Sequence, residues 1–529
     1  MCQAMLLSKR ASGTSIFINS TFFQQNNNQA NAINPRIKLG ATGCLSHQAK
    51  CDSDTKPNLL KTGPSVARTY GKAKLGAINP RIKLGATGAC RTKLSATGCL
   101  SHQAKCDRYG SLFKSHILGC PTIVSMDPEL NRYILMNEGK GLVPGYPQSM
   151  LDILGKCNIG AVHGSAHKYI RGSMMSLISP AMIKKQLLPK IDKFMRSYLH
   201  NWDGKDIDIQ ERTNEIDCFN LEVRSLIIRT TLQLHEMALF ISFKQIVEIE
   251  SSQLYETFKP EFDKLMVGTL SLPVNIPGTN YHRGFQGRKR VVRILRQIME
   301  ERRASSIVHN DMLDHLLRKE ESNYNLSDEE TIDQVITILY SGYETVSTTL
   351  MMAIKYLHDH PRALKELRDE HMAIRQRKKP EEPIDWNEYK SMSFTRAVIF
   401  ETSRLASIVN GVLRKTTKDI ELNGFVIPKG WRIYVYTREI NYDPFLYPEP
   451  LTFSPWRWLD KSLESHNYCF VFGGGSRLCP GKELGIVQIS TFLHYFVTRY
   501  RWEEVGGDKI VQFPRVEAPD GLRIRVSKY

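Results

Sequence analysis

The stretch FVFGGGSRLCPGKELG, Phe470 to Gly485, places a single cysteine between three glycines and the start of a helical pattern. Cys479 is followed by Pro480, Gly481 and then KELGIVQISTFLHYFV, whose apolar residues recur at helical spacing. A thiolate at the N-terminus of a helix is stabilised by the positive end of the helix dipole. The glycines at 473–475 have no side chain, so the backbone there can approach a large flat ligand. The stretch therefore predicts a site at which a cysteine sulfur faces a bound group.

Three roles for Cys479 are compatible with this pattern: a nucleophile, an axial thiolate ligand of haem iron, and a buried cysteine in a tight turn. A nucleophile needs a neighbouring base. The nearest upstream candidate, His466, lies thirteen residues away, and the sequence gives no reason for it to approach the sulfur. Arg477, two residues before the cysteine, is placed to pair with an anionic group on the same ligand.

The bulk composition is that of a globular protein, with 529 residues of which 41% are hydrophobic and 24% charged. Such a chain is long enough for one large domain or several small ones. No stretch reaches the roughly 18 apolar residues expected of a membrane-spanning helix, and the N-terminus is too polar for a signal peptide. The eleven cysteines are odd in number and scattered, which favours reduced thiols and a cytosol-facing protein.

Residues 1–107 differ from the rest of the chain. AINPRIKLGATG occurs at positions 32–43 and 77–88, and ATGCLSHQAKCD occurs at 41–52 and 96–107. The segment carries 15 Lys or Arg against 3 Asp or Glu, so 12 of the 18 net positive charges belong to it. Few large apolar residues accompany the repeats, and we expect this atypical segment to be mostly disordered.

Each copy of the second repeat contains Cys-x2-His-x3-Cys, as at Cys44, His47 and Cys51. Two copies supply enough soft ligands for zinc, but the spacing matches no closed structural zinc site. The favoured interpretation is a duplicated polar tail. Its basic charge is not accompanied by aromatic residues on which bases stack, so no nucleic-acid partner is predicted.

From residue 108 to residue 529 the pattern is that of one large, mainly helical domain with small β-sheets. SLFKSHILGCPTIVSMD alternates in polarity and predicts a two-stranded sheet, and DIELNGFVIPKGWRIYVY predicts further strands joined by turns. Between them, Ser327 and Glu330 form a capping box and Pro361 marks a stop. The enclosed helix is about 30 residues long and apolar nearly all round, which predicts a position in the core.

The ten residues from Phe472 to Gly481 match the haem-binding signature of the cytochrome P450 family, Phe-x-x-Gly-x-Arg-x-Cys-x-Gly, at every fixed position. The resemblance implies the cytochrome P450 fold, with haem between a long central helix and the cysteine loop. It also implies that Cys479 is the axial ligand of the haem iron and that the chain is a haem-thiolate monooxygenase. Phe472, Arg477 and Gly481 are then cofactor-binding residues.

A second motif of that family lies upstream. Glu401 and Arg404 match its Glu-x-x-Arg, and the i,i+3 spacing puts both side chains on one face of a helix. Arg457, in FSPWRW, is similar to the arginine that joins this pair in the family. The resemblance implies a structural lock behind the haem loop, made of one carboxylate and two guanidinium groups.

The long predicted helix contains Ser341-Gly-Tyr-Glu-Thr345, which resembles the family's Ala/Gly-Gly-x-Asp/Glu-Thr. The resemblance implies that Glu344 and Thr345 are the catalytic residues and deliver protons during oxygen activation. Considered without the cysteine loop, a threonine within a helix is better explained by a bond from its hydroxyl to a carbonyl of the preceding turn.

Three further cations resemble the residues that hold the haem propionates in the family. His167 and Arg171 stand at i,i+4 in HKYIR, a spacing that places them on one helix face. Arg414, in GVLRKT, is similar to another propionate arginine. Cations around two carboxylates form strong charge-assisted hydrogen bonds.

From about residue 109 onward the chain resembles the plant brassinosteroid C-6 oxidases, also called castasterone synthases. The resemblance rests on stretches such as TILYSGYETVSTT and FGGGSRLCPGKELGIVQISTFLHYFVTRYRWEEVGGDK. It implies oxidation of C-6 of 6-deoxo brassinosteroids (6-deoxocastasterone to castasterone), with haem b, dioxygen, and electrons from NADPH through cytochrome P450 reductase. It also implies a steroid substrate and attachment to the cytosolic face of the endoplasmic reticulum membrane.

Two departures from that family motivate an alternative. Residues 1–107 replace the family's membrane anchor, hinge and first helix, and IDCFNLEVRSLIIRTTLQLHE, residues 216–236, reads as an insertion. These departures motivate the alternative hypothesis that the chain is a haem-binding remnant without turnover.

Overall fold

The protein is described by a computed structural model. It describes residues 110–117, 119–200, 202, 206–208, 233–247, 252–307, 311–317, 326–379, 382–422, 424–505, 510–512, 515–518 and 522–529. The predictions for residues 1–107 lie outside these ranges. The suggested insertion at 216–236 also lies outside them, apart from its last four positions, which begin a helix at Gln233.

Helices dominate the described part of the chain. They are α1 Pro128–Met136, α2 Gln148–Leu154, α3 Gly164–Leu177, α4 Pro180–Met182, α5 Leu188–Leu199, α6 Gln233–Val247, α7 Ser252–Gly268, α8 Asn280–Ala304, α9 Met312–Leu317, α10 Asp328–Asp359, α11 Pro361–Arg375, α12 Trp386–Ser391, α13 Ser393–Ala406, α14 Arg438–Asn441, α15 Ser462–Ser465 and α16 Lys482–Arg499. A π-helical turn, Ile183–Leu187, joins α4 to α5, and short 3₁₀ turns cover Pro455–Trp458 and Gly475–Arg477.

The strands form three small sheets. They are β1 Leu112–Ile117, β2 Cys120–Ser125, β3 Leu142–Pro144, β4 Asp206–Asp208, β5 Gly411–Thr416, β6 Ile420–Leu422, β7 Phe425–Ile427, β8 Arg432–Tyr436, β9 Tyr500–Glu504 and β10 Arg523–Lys528. The largest sheet has the order β1-β2-β8-β5-β3, in which only the β2–β8 pair is parallel. The others are β4-β10-β9 and the hairpin β6-β7, so the predicted mainly α architecture with small sheets is confirmed.

The longest helix, α10, is the 32-residue core helix that the sequence predicts. Its start is fixed by the capping box, in which Ser327 accepts from the Glu330 backbone and the Glu330 side chain accepts from the Ser327 N–H. Pro361 begins the next helix after a break at His360. Residues 331–337 and 346–354 are buried, so the segments of α10 before and after its middle are both enclosed by the protein. The same holds for α16, which is buried from Ile486 to Val497.

Across the described ranges, we find no helix with both the length and the apolar character needed to cross a membrane.

Candidate active site

The cysteine loop is shaped by its glycines. Gly475 has a φ of +64°, and a Cβ atom there would lie 2.3 Å from the carbonyl oxygen of Leu135. A larger residue would therefore push the loop away from the end of α1. The Cys479 N–H donates to the Phe472 carbonyl at 2.9 Å, which closes the loop directly before α16. Gly481 is the N-cap of α16, so the cysteine stands at a helix N-terminus as predicted.

The Cys479 side chain is accessible, although protein atoms surround it on most sides. Burial raises the pKa of its thiol above the ordinary value. The backbone N–H groups of Gly481 and Lys482 and the positive charge of Arg171 act in the opposite direction. A coordinating metal ion removes a thiol proton outright, and such N–H donors then tune the thiolate. The loop therefore presents an accessible sulfur with hydrogen-bond donors already arranged around it.

The predicted cofactor-binding cations converge from three elements: His167 and Arg171 on α3, Arg414 on β5, and Arg477 in the cysteine loop. His167 is buried, and burial together with the positive charges of Arg477, Arg171 and Arg414 lowers its pKa to about 4. Its imidazole is therefore neutral near pH 7. The carboxylate of Glu138 accepts from Nη2 of Arg477 at 2.5 Å and lies 3.9 Å from Nη2 of Arg414.

This cation cluster fits the two propionates of a haem. Two of its buried nitrogen atoms, Nε2 of His167 and Nε of Arg414, have no hydrogen-bond partner within the described ranges. Buried polar atoms without hydrogen-bond partners are rare in folded proteins. The cluster contains three arginines and one carboxylate, Glu138, so it has an excess of two positive charges. Two propionates would balance that excess and supply acceptors for the unpaired nitrogens.

Behind the cysteine loop, Glu401 and Arg404 form a fully buried ion pair on α13. Nε and Nη2 of Arg404 donate to the two carboxylate oxygens at 2.9 and 2.8 Å. Nε of Arg457 donates to the same carboxylate at 3.2 Å, so the structure brings the three predicted lock residues together. Trp458, which sequence reasoning did not assign, donates to this carboxylate from its indole nitrogen at 2.7 Å.

Aromatic packing connects this lock to the cysteine loop. The ring of Phe472 packs edge-on against Phe400 of α13, with centroids 5.2 Å apart. Phe400 also packs against Trp458, with centroids 5.1 Å apart. Because Phe472 holds the Cys479 N–H through its carbonyl, displacement of α13 would be transmitted to the cysteine.

The predicted catalytic motif occupies an open stretch in the middle of α10. Ser341 is exposed and residues 342–345 are half-buried, whereas the helix is enclosed on both sides of them. A Cβ atom on Gly342 would lie 2.7 Å from Oγ of Ser242, so α6 approaches the helix closely here. The Thr345 hydroxyl donates to the Ser341 carbonyl at 2.7 Å, as a helical threonine does. Its oxygen keeps acceptor capacity for a proton donor in the opening.

Glu344 is paired rather than free. Nη1 of Arg515 lies 3.3 Å from Oε1 of Glu344, and Nε of Arg515 lies 3.2 Å from Oε2 of Glu517. Burial lowers the pKa of Arg515, but these two carboxylates outweigh it and raise that pKa above the ordinary value. A residue near the C-terminus therefore holds the carboxylate that the sequence assigns to proton delivery.

Sequence reasoning missed Glu138 and Arg515. Glu138 is 339 positions from Arg477, and Arg515 is 171 positions from Glu344. No spacing rule connects residues so far apart, and neither residue stands in a recognised motif. For Trp458 a signal was present, since it lies directly after Arg457.

Comparison with known proteins gives consistent matches. The family described as Cytochrome P450 matches residues 100–520. The chain is 68% identical over 422 residues to cytochrome P450 85A1 of Solanum lycopersicum, covering 80% of this chain and 86% of the relative. It is 62% identical to cytochrome P450 85A1 of Arabidopsis thaliana over 423 residues, with the same coverage of both chains.

A more distant relative and a solved structure are also similar to this chain. The 3-epi-6-deoxocathasterone 23-monooxygenase CYP90D1 of Arabidopsis thaliana is 33% identical, with 79% of this chain and 82% of the relative covered. Among solved structures, retinoic acid-bound cyanobacterial CYP120A1 superimposes with a TM-score of 0.70 at 24% identity. That match covers 81% of this chain and 94% of the other, and it shows the shared fold.

Proposed function

Because this chain belongs to the cytochrome P450 family, we propose that it oxidises C-6 of 6-deoxo brassinosteroids, converting 6-deoxocastasterone to castasterone. The observation that carries the proposal is the similarity to the 85A proteins, which reaches 68% identity over 80% of the chain. The relative named as a 3-epi-6-deoxocathasterone 23-monooxygenase supports the substrate class, since its name specifies a 6-deoxo compound. The cofactor is proposed to be haem b, with electrons supplied by NADPH through a reductase.

The bound haem supplies the activation of dioxygen, and the protein contributes geometry and protons. Cys479 would provide the sulfur ligand of the haem iron. Its backbone N–H donates to the Phe472 carbonyl, and the N–H groups of Gly481 and Lys482 at the start of α16 donate to the sulfur. The cation cluster orients the propionates. In the opening of α10, Thr345 accepts and passes on protons that reach it from solvent by way of Glu344.

The pairing of Glu344 gives a testable consequence. Arg515→Met leaves the Glu344 carboxylate without its partner, so it no longer holds one position in the opening of α10. We expect the product formed per NADPH consumed to fall about tenfold, the effect of losing one charge-assisted hydrogen bond. Steroid product and NADPH oxidation are measured together. The matched control is Arg523→Met, on the exposed side of β10, for which the ratio is expected to stay unchanged. An unchanged ratio in Arg515→Met would show that this pair has no part in proton delivery.

The catalytic proposal is tested with the full chain, a plant NADPH–cytochrome P450 reductase and 6-deoxocastasterone. We expect NADPH-dependent formation of the C-6 alcohol and then the C-6 ketone, castasterone, identified by mass spectrometry. Bound haem together with no NADPH-dependent product would favour the alternative, a remnant without turnover. That alternative rests on residues 1–107 and 216–236, which lie outside the described ranges apart from positions 233–236.

We further propose that the protein acts at the cytosolic face of the endoplasmic reticulum membrane. The connection between α7 and α8 supports contact with an apolar surface. Leu270, Leu272, Val274 and Ile276 in this loop are between 40% and 59% exposed. Contiguous exposed apolar residues of this kind mark interaction sites. A fluorescent fusion of the full chain that distributes evenly through the cytosol would contradict this proposal.

A further inference from the structure

Glu138 follows the C-terminal end of α1 and is almost completely enclosed, with 8% of its side chain exposed. Both of its oxygens accept from Nε of Arg477 at 2.9 Å, and Oε1 also accepts from Nη2. Oε2 lies 3.9 Å from Nη2 of Arg414. The carboxylate therefore bridges two of the arginines assigned to the propionates.

Most of the N–H groups of Arg477 donate hydrogen bonds to other groups of the protein. Besides Glu138, its Nη1 donates to the Ile159 carbonyl at 2.6 Å and its Nη2 donates to the Val162 carbonyl. These bonds use four of the five N–H groups of a guanidinium. The same loop is held from its other side by α10, because Gln334 accepts from the Ile159 N–H at 2.8 Å. The Glu138–Arg477 pair thus fixes the backbone between α2 and α3 directly before His167.

The charges of the cation cluster indicate that the Glu138 carboxylate has a role in haem binding. Three guanidinium groups, those of Arg171, Arg414 and Arg477, stand against one carboxylate and two expected propionates. Without the Glu138 carboxylate the cluster would carry an uncompensated positive charge beside the haem. Arg477 would also lose the bidentate partner that holds its orientation.

We propose that Glu138 is a positioning residue for haem binding. Its carboxylate holds Arg477, and through Arg477 the loop at Ile159 and Val162, so that His167, Arg171 and Arg414 receive the propionates in a prearranged geometry. The inference rests on the proposed function only in that the chain binds haem. It does not depend on which steroid is oxidised.

The test compares Glu138→Gln with Glu129→Gln in the full-length haem protein. Glutamine keeps the shape of the side chain and removes the charge, and Glu129 is exposed on α1. Haem release is followed optically as transfer to excess apomyoglobin. We expect about a tenfold faster release for Glu138→Gln, corresponding to the loss of one charged hydrogen-bond pair. Release from Glu129→Gln is expected to match that of the unsubstituted protein.

A second readout separates positioning by charge from a purely structural role. Removing a buried anion near the haem disfavours the ferric state, so the ferric–ferrous midpoint potential should rise in Glu138→Gln and stay unchanged in Glu138→Asp. Faster release with no change in potential would overturn the proposal, as would release within twofold of the unsubstituted protein. If Glu138→Gln holds no haem, Glu138→Asp decides: haem retention at the unsubstituted potential supports the proposal, and failure to retain haem overturns it. Both readouts are taken without steroid, so failure of C-6 oxidation leaves them interpretable.

Discussion

Glu401→Gln is expected to lower the free energy of unfolding by about 3–5 kcal/mol, the usual cost of removing one partner from a buried ion pair. Glu401 and Arg404 are both completely enclosed. The substitution leaves Arg404 buried without a counter-ion and reduces the charge that holds Arg457. A loss of this size consumes much of the stability of a typical domain.

The geometry explains why the nearly isosteric glutamine is not tolerated. One carboxylate oxygen of Glu401 accepts from Nη2 of Arg404, from the Ser454 N–H and from Nε of Arg457. The other oxygen accepts from Nε of Arg404 and from the indole of Trp458. All five contacts come from donors. Whichever oxygen is replaced by an amide group, that group faces N–H groups and cannot accept from them.

The measurement is chemical denaturation of the purified chain together with its haem content after expression. Glu421→Gln is the matched control, because Glu421 is exposed on β6. We expect the control to unfold like the unsubstituted protein and to bind haem fully. A Glu401→Gln protein that unfolds within about 0.5 kcal/mol of its parent, the range of surface substitutions, would show that the buried cluster is not a lock.

Cys479→Ala is expected to abolish steroid oxidation, with turnover falling about a thousandfold or more, which corresponds to about 4 kcal/mol of barrier. Alanine preserves the backbone turn and the bond from residue 479 to the Phe472 carbonyl. What it removes is the sulfur at the start of α16, the one protein atom assigned to the haem iron. A cysteine thiolate bound to haem iron would increase the electron density at the iron and so favour cleavage of an oxygen–oxygen bond.

Cys469→Ala supplies the control for that experiment. Cys469 is also a free thiol in the same stretch of chain, and it packs against the core instead of facing the loop opening. Its replacement is expected to leave product formation within a few-fold of the parent, because no haem contact is lost. Turnover is measured as castasterone formed from 6-deoxocastasterone with reductase and NADPH. Retained turnover in Cys479→Ala would contradict the assignment of the axial ligand.

Local sequence rules predicted the elements that carry the site. The capping box at Ser327 and the stop at Pro361 fixed the limits of α10, because these signals act within one helical turn. The i,i+3 spacing of Glu401 and Arg404 likewise set a contact within one helix. Side chains that belong to one helix turn meet wherever that helix packs, so their pairing is readable from the sequence alone.

Contacts between distant segments were not predictable in this way. Arg477 is predicted to pair with an anion on the ligand. Its contacts with Glu138 and two carbonyl groups were not predicted. Glu344 is predicted to serve proton delivery. The sequence did not predict that its carboxylate pairs with Arg515, which comes from the C-terminal segment. Such pairs depend on how the sheets and helices pack, and the sequence carries no period that connects them.

The most direct test of the central claim, that Cys479 is a haem thiolate ligand, is the reduced carbon monoxide difference spectrum of the expressed chain beside Cys479→Ala. We expect a strongly red-shifted Soret band in the unsubstituted protein and its loss in the variant. Absence of this band from the unsubstituted protein, or its persistence in Cys479→Ala, would contradict the account.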